Sequence, residues 1–374
     1  FEYHYHPQFR ARAGVFMIYR LPRQHRGHEW TRFQRVQLDS LTINGGHAFK
    51  DWWNRFHEEH PEYFALQPDG TRGGGETPWP NAKMIKICLS NPGVWEQWRA
   101  DVKAQLERYL NRRVFHAAEN DGAYEGYCIC EDCRAWDSPD GTMASYSWEG
   151  IGREYVAMSD RQVTFANTLG RMLKERYPDK DYDVTILAYG NSTYPPAEAV
   201  PEDNVLVEAA HSFHRSRGIH PRTGVDFRKA FLGYTKVTDN LIWRPNIGQG
   251  SGWHIGKPNV APRRAIDDLQ LVAEKNVKGL WMDAVYGHWA NQGLHYYMLA
   301  QLAWNPRADG EAILNDYLNR AYGPAVDPMR AYWALIERTT LAMTIHNKPE
   351  AEVWDAAFHK RANELLDRAI TELD

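Results

Sequence analysis

The segment Val114-Phe-His-Ala-Ala-Glu-Asn-Asp-Gly122 is the most informative part of the sequence for the fold. Its apolar start predicts a short buried strand, and Glu119, Asn120 and Asp121 follow before a glycine ends the pattern. In a β/α barrel the active-site groups stand at the carboxyl ends of the strands, which is where these three residues fall. In extended chain, Glu119 and Asp121 also point to the same face. The alternative is that Asn120, Asp121 and Gly122 only build a turn and that Glu119 is solvated.

Strand-like and helical patterns alternate on both sides of this segment. The strand-like runs are residues 84–89, 114–118, 184–189, 204–210, 241–246 and 277–283. The amphipathic helical patterns are residues 94–112, 159–177 and 265–275. This alternation is typical of βα units around a parallel sheet, and its frequent repetition favours a closed barrel. We therefore predict an α/β fold in which residues 1–300 form a TIM-like (β/α)8 barrel. Helical spacing without strand signals predicts a helical C-terminal region, residues 301–374, packed on the barrel.

The composition limits the classes of partner. The chain has 374 residues, of which 43% are hydrophobic, so it can bury a large core. Its formal charge of -4 and the lack of a long basic run argue against a nucleic-acid partner. The sequence contains no run of ~20 apolar residues, so it does not predict a membrane-spanning helix. The 15 Trp, 20 Tyr and 16 His residues are suited to stacking on sugar rings or to packing in the core. The start at Phe1, without a methionine or a signal-like segment, suggests a trimmed product. The oligomeric state stays open.

Several short motifs, in a consistent order and spacing, resemble one protein family. They are Phe1-Glu-Tyr with Pro7 and Arg10, Gly46-His-Ala-Phe49, His60-Pro-Glu-Tyr-Phe-Ala-Leu66, Cys88-Leu-Ser-Asn-Pro92, Asn120-Asp-Gly122 with three following cysteines, Leu187-Ala-Tyr189, and Ala303-Trp-Asn-Pro306. Over residues 1–322 these motifs resemble the bacterial DUF4838 family, from which glycoside hydrolase family 163 was defined. The resemblance implies a barrel related to those of other hexosaminidases, and endo-β-N-acetylglucosaminidase activity on complex N-glycans. We accordingly expect a carbohydrate-metabolism enzyme that is secreted, periplasmic or on the cell surface.

Four acidic residues at the predicted strand ends are candidate catalytic groups: Glu119, Asp121, Glu208 and Asp283. A glycosidase needs one acid to protonate the leaving oxygen and a second group to stabilise the anomeric carbon. With an N-acetyl substrate, the acetamido carbonyl itself can attack. We assign Asp121 to orienting that acetamido group or a sugar hydroxyl. Glu208 is the preferred general acid, because the apolar residues before it would desolvate it and raise its pKa. Glu119 fits either role, and Asp283 fits catalysis or substrate binding.

Polar and aromatic residues near the same strand ends are candidates for binding a sugar. They are His47, Asn120, Tyr189, His211, Trp243, Trp281 and Trp289. Aromatic side chains of this kind are equally common in protein cores, so a core role stays open for each of them.

The four cysteines of the chain are Cys88, Cys128, Cys130 and Cys133. Four thiols can form a structural zinc site, although C-x-C-x-x-C is not the usual paired C-x-x-C pattern. Two disulfides, one of them joining Cys88 to the cluster, fit a secreted protein equally well. A catalytic metal is disfavoured because three or four thiolates would fill its coordination shell. We therefore expect a structural role beside Asp121 and no cofactor required for catalysis.

Two other functions stay open at this point. One is a glycosidase acting on a uronic-acid-containing polysaccharide, in which Arg10, Arg12, Arg244 or Lys257 would meet the substrate carboxylate. The other is a catalytically inactive glycan-binding barrel, since a fold can persist without its acid pair. Two carboxyl groups facing each other across one cleft would favour an enzyme.

Overall fold

The structure is a computed structural model, and it describes residues 9, 11–13, 33–34, 38–39, 46–73, 82–121, 126–148, 151–211, 226–245, 260–275, 277–282, 289–344 and 348–373. The chain divides into two compact units. The sheet unit consists of Asp39–His211 and Arg222–Trp243. The helix-rich unit consists of Phe1–Leu38, Ser212–Pro221 and Arg244–Asp374.

The described elements are those of an α/β fold. The strands are β1 (Ala11–Ala13), β2 (Leu38–Asp39), β3 (Val114–His116), β4 (Met143–Trp148), β5 (Ile151–Val156), β6 (Asp183–Ala188), β7 (Val205–Ala209), β8 (Leu241–Trp243) and β9 (Gly279–Trp281). The helices are α1 (Trp52–Phe56), α2 (Pro92–Arg108), α3 (Glu131–Arg134), α4 (Ser159–Arg176), α5 (Phe227–Tyr234), α6 (Pro262–Glu274), α7 (Trp289–Trp304), α8 (Gly310–Tyr322), α9 (Val326–Thr344), α10 (Glu350–Val353) and α11 (Ala356–Thr371).

A parallel sheet in the order β3-β6-β7-β8 forms the centre of the sheet unit. Every residue of β7 is buried, as expected for a strand covered on both faces. In the register, His116 of β3 lies beside Thr185 of β6, and Leu187 of β6 lies beside Glu208 of β7. All four strands therefore end at the same edge of the sheet, where their following residues meet.

Helices α2 and α4 cover this sheet and pack against each other. Helix α2 begins where Asn91 accepts a hydrogen bond from the amide of Gly93, at 2.8 Å, with proline at the first helical position. Its Trp98 is buried and donates to the carbonyl of His116 at the end of β3, at 2.8 Å. Helix α4 packs on β6 and β7 through an apolar stripe that includes Val163 and Leu169.

The helix-rich unit contains the parallel pair β1 and β9, together with α6 to α11. Helix α7 packs on α6 and α8, and α9 packs on α8 and α11. Buried Glu337 of α9 accepts hydrogen bonds from the backbone and the side chain of Arg263, at 2.8 and 2.6 Å. This pair fixes the start of α6 on α9.

The structure confirms most of the predicted elements. The runs around β3, β6, β7, β8 and β9 are strands, and the patterns around α2, α4 and α6 are helices. The parallel α/β architecture is confirmed, whereas a complete eight-stranded barrel is not. The described residues from 289 onward form only helices, and the division at residue 300 stays a prediction. None of the described helices is both long and hydrophobic enough to cross a bilayer.

Two local predictions differ from the structure. Residues 84–89 do not form a strand: Met84 ends a 3-10 turn and Ile87 makes a single isolated bridge to Phe64. The antiparallel hairpin of β4 and β5 was not predicted, because neither strand contains an apolar run and the β5 sequence Ile151-Gly-Arg-Glu-Tyr-Val156 has no regular alternation.

Asp160, in the first turn of α4, ties the helix to the connection between β6 and β7. Its buried carboxylate accepts three backbone hydrogen bonds, from Ala197, Glu198 and Ala199, at 2.7–2.9 Å. Hydrogen bonds to a buried charge are strong, so we expect Asp160→Asn to lower the free energy of unfolding by about 2 kcal/mol in urea denaturation. The exposed Asp179→Asn serves as the control and should change it by less than about 0.5 kcal/mol. An unchanged stability for Asp160→Asn would contradict this role.

Candidate active site

Glu119 occupies the position three residues after the end of β3. Its side chain is buried, with 7% of the residue exposed. The amide of Gln162 on α4 donates to its Oε2 at 2.7 Å, and its Oε1 is buried. Burial raises the pKa of Glu119 to about 7, although the positive charges of Lys86 and Arg161 act in the opposite direction. A hydrogen bond from the backbone of Ile87 also lowers the pKa of the carboxyl group. Close to neutral pH, this carboxyl group can therefore hold or release a proton.

His47 lies against the same turn. A carbonyl oxygen can only accept, so Nδ1–H of His47 donates to the backbone oxygen of Glu119. The other ring nitrogen, Nε2, lies 4.0 Å from the carboxylate of Asp121. Burial lowers the pKa of His47, which favours the neutral ring. A neutral ring with its proton on Nδ1 leaves Nε2 as a hydrogen-bond acceptor.

Asn120 and Lys86 hold the backbone of this turn. The side-chain amide of Asn120 is buried and donates to the carbonyls of Phe49 and Ile85, at 3.0 and 2.8 Å. The ammonium group of Lys86 donates to the carbonyl of Asn120 and, at 2.8 Å, to that of Asp121. Lys86 is 3% exposed, and burial lowers its pKa to about 8. The turn that follows β3 is thus fixed from two sides.

A small pocket lies over Glu119, with a cavity volume of about 20 Å³. Acidic, amide, imidazole, hydroxyl and aromatic groups surround it, which is the mixture expected for a site that binds a polar ligand. Its described lining residues are His47, Ala118, Glu119, Asn120, Tyr127, Gln162, Leu187, Tyr189 and Ser192. They come from the ends of β3 and β6, the start of α4 and two loops, all within the sheet unit.

The structure brings together only some of the predicted catalytic residues. Asp121 lies beside Glu119 and His47, and its side chain is half exposed. Glu208 is fully buried in the sheet, where Thr185 donates to it at 2.9 Å and Nδ1 of His116 lies 3.8 Å away. Neither Glu208 nor Asp121 is among the described residues that line the pocket. Asp283 lies outside the described residues.

The predicted sugar-binding residues also divide into two groups. His47, Asn120 and Tyr189 line the pocket, and the rings of His47 and Tyr189 are 6.4 Å apart. His211 and Trp243 are fully buried: His211 donates from Nε2 to the carbonyl of Thr193, and Trp243 donates to the carbonyl of His211, both at 2.9 Å. Burial lowers the pKa of His211 to about 4.

The remaining predicted residues belong to the helix-rich unit. Trp281 is 5% exposed at the end of β9. Trp289 begins α7, and its side chain lies outside the described part of the chain, as do those of Arg10, Arg12 and Lys257. Arg244, at the end of β8, is buried. Roles for these residues stay predictions.

The four cysteines meet beside this site. Their Sγ atoms all lie within 4.8 Å of one another, and none of the four cysteines is joined to another in a disulfide. The loop 128–133 and the extended segment around Cys88 supply them. The same loop carries Tyr127 of the pocket, and the same extended segment carries Lys86.

Three residues of the site were missed from the sequence: Lys86, Gln162 and Tyr127. A lysine inside the apolar run Met84-Ile-Lys-Ile-Cys88 is a detectable signal, because a buried lysine needs partners. Gln162 lies in the first turn of a long helix, and no local pattern marks it as a partner of Glu119.

Comparison with known families identifies the chain as a member of one of them. The family model described as a domain of unknown function, DUF4838, matches residues 1–334, so the chain belongs to this family. This confirms the family suggested by the sequence motifs. None of the curated proteins compared with the chain matches it.

The raised pKa of Glu119 predicts a pH-dependent cost to stability. Because the pKa is about 7 in the folded chain against an ordinary 4.5, the native state binds more protons between these values, and stability falls as pH rises. Relative to the unsubstituted protein, the free energy of unfolding of Glu119→Gln should increase by about 3 kcal/mol as the pH is raised from 4.5 to 8. Urea denaturation at the two pH values measures this difference.

The control for this measurement is Glu119→Asp, which keeps a carboxyl group at the site and should retain most of the pH dependence. A stability difference between Glu119→Gln and the unsubstituted protein that is equal at pH 4.5 and 8 would show that Glu119 ionises normally.

Proposed function

We propose that this DUF4838 protein is a glycoside hydrolase in which Glu119 is the proton donor. The observation that carries the proposal is a buried carboxyl group that lines the pocket and whose pKa is about 7. A glycosidase requires such a group, because its general acid must be protonated near neutral pH and must reach the leaving oxygen.

Glu119 suits this role better than Glu208, which the sequence favoured. Glu208 has no exposed surface, and a hydroxyl of the neighbouring strand donates to its carboxyl. A proton donor has to come within about 3 Å of the oxygen that it protonates. Glu119 borders the pocket and Glu208 is buried between strands, so we assign the proton transfer to Glu119.

Asp121 supplies the second group that the reaction needs. It follows Glu119 by two residues, its side chain is half exposed, and it lies 4.0 Å from Nε2 of His47. In a substrate with an N-acetyl group, we assign Asp121 to accepting the acetamido N–H and orienting that group toward the anomeric carbon. Lys86 fixes the position of Asp121 through its backbone oxygen.

The reaction then proceeds in two steps with retention. The acetamido carbonyl oxygen bonds to the anomeric carbon while the glycosidic bond breaks, and Glu119 gives its proton to the departing oxygen. Water next attacks the anomeric carbon and loses a proton to the Glu119 carboxylate, which restores the acetamido group and the acid. The pKa near 7 suits both directions of this proton transfer.

The sequence resemblance and the groups in the pocket support the choice of substrate class. The sequence resemblance implies an endo-β-N-acetylglucosaminidase of complex N-glycans, and an N-acetylhexosamine supplies the internal nucleophile that Asp121 would orient. Tyr127 and Tyr189 offer aromatic surface to a sugar ring, while His47 and Gln162 offer polar groups to its hydroxyls.

Substrates with different leaving groups test the assignment of Glu119. For a natural glycan the departing oxygen needs a proton, so Glu119→Gln should lower kcat/KM by about 10²–10⁴-fold. A dinitrophenyl N-acetylglucosaminide needs no proton donor, so the same variant should retain most of its kcat/KM. Asp121→Asn should impair both substrates, because it acts on the attacking group.

Three results would contradict the proposal. One is that Glu119→Gln lowers kcat/KM equally for both substrates, or for neither. Another is turnover of uronic-acid-linked glycans alone, which would favour the polysaccharide-directed alternative. The third is tight glycan binding without turnover of any N-acetylhexosaminide, which would favour an inactive binding protein.

The pH profile gives an independent test. Because only protonated Glu119 can donate, kcat/KM on a natural glycan should fall above a pH of about 7. Lys86→Met removes a positive charge that lowers the pKa of Glu119. The pH above which kcat/KM falls should therefore rise by about one unit in this variant. Lys86→Arg keeps the charge and serves as the control. A fall at the same pH in Lys86→Met and the unsubstituted protein would contradict the assignment.

A further inference from the structure

The four cysteine thiols form a cluster outside the residues that line the pocket, and the proposed reaction does not use them. Cys88, Cys128 and Cys133 are buried, and Cys130 is partly exposed. Their sulfur atoms all lie within 4.8 Å of one another. Two separate segments of the chain contribute these four sulfur atoms. Their number and spacing are those of the ligands in a metal site.

Three of the sulfur separations are close to those of a tetrahedral metal site. The distances between sulfurs are 3.7 Å for Cys88 and Cys130, 3.8 Å for Cys88 and Cys133, and 3.4 Å for Cys128 and Cys130. A zinc ion about 2.3 Å from each ligand separates the sulfurs of a regular tetrahedron by about 3.8 Å. A disulfide would instead bring two of them to about 2.05 Å.

Groups around the sulfurs are placed to stabilise thiolates. The backbone amide of Leu66 donates to Sγ of Cys128 at 3.3 Å, and the amide of Cys133 donates to Sγ of Cys130 at 3.4 Å. The hydroxyl of Ser90 lies 3.1 Å from Sγ of Cys133. Hydrogen bonds of this kind surround metal-bound ligands and orient them.

A buried cation offsets part of the negative charge that such a site would carry. Four thiolates and one divalent ion have a net charge of about −2. Arg161 is 2% exposed, and its positive charge interacts with Cys133. Arg161 also donates to the carbonyl of Cys128, at 2.7 Å, and to the carboxylate of Asp137, at 2.9 Å from its Nε. The guanidinium group is thus held beside the sulfurs.

We propose that Cys88, Cys128, Cys130 and Cys133 bind one structural zinc ion. Thiolates are soft ligands, and a closed set of four favours zinc in a tetrahedral structural site. No coordination position is left open for substrate, so the ion holds the loop 126–137 to the segment 85–90. Because Lys86 lies in that segment and supports the turn after Glu119, the ion stabilises one wall of the pocket.

Metal analysis of the full chain tests the proposal. After expression with zinc and iron both supplied, and gel filtration, mass spectrometry should find one zinc per chain. X-ray absorption at the zinc edge should show four sulfur ligands at about 2.3 Å. Thiol titration should find four thiols after unfolding with a chelator and fewer than one before. Less than 0.1 zinc per chain, stoichiometric iron in its place, or no titratable thiols after unfolding would each overturn the proposal.

Variants locate the ion at the cluster. Cys128→Ser and Cys133→Ser should each lose at least tenfold in zinc affinity, measured by competition with a chromophoric chelator. Asp132→Asn, which changes an exposed side chain of the same loop, should keep one zinc per chain. If a cysteine variant does not fold, cobalt substitution of the unsubstituted protein replaces it, since four thiolates give intense sulfur-to-cobalt charge-transfer absorption. Cysteine variants with unchanged affinity, or cobalt without that absorption, would overturn the assignment of ligands.

Discussion

The site depends on the burial of the Glu119 carboxyl group close to two cations that do not form ion pairs with it. Lys86 uses its ammonium group on the carbonyls of Asn120 and Asp121, and Arg161 uses its guanidinium on Asp137 and on a backbone oxygen. Their charges lower the pKa of Glu119 only enough to bring it to about 7. A direct ion pair would have kept the carboxylate charged, and no cation at all would have kept the acid protonated.

Helix α4 connects this acid to the cysteine cluster. Its adjacent residues Arg161 and Gln162 point to different partners: the first binds the carbonyl of Cys128 and the second binds Glu119. Asp160, one residue earlier, fixes the connection between β6 and β7. Three consecutive side chains in the first turn of one helix therefore hold the sulfur loop, the acid and a sheet connection.

The sequence was sufficient for the parts of the fold that depend on local pattern. Buried apolar runs predicted β6 and β7 nearly to their ends, and the turn after β3 was correctly placed at the edge of the sheet. The choice between Glu119 and Glu208 needed the structure, because both acids follow apolar residues and only their surroundings separate them. Lys86 and Gln162 are 33 and 43 positions from Glu119 in the sequence, so no local spacing relates them to it. Long-range contacts of this kind are decided by tertiary packing.

The proposed chemistry requires that Glu119 holds a proton near neutral pH. Selective carbon-13 labelling of glutamate carboxyl groups allows its titration to be followed by NMR, with Glu119→Gln identifying the signal by its loss. The lost signal should titrate with a pKa of about 7. A signal that titrates near the ordinary glutamate value, at a pH of about 4.3, would contradict it.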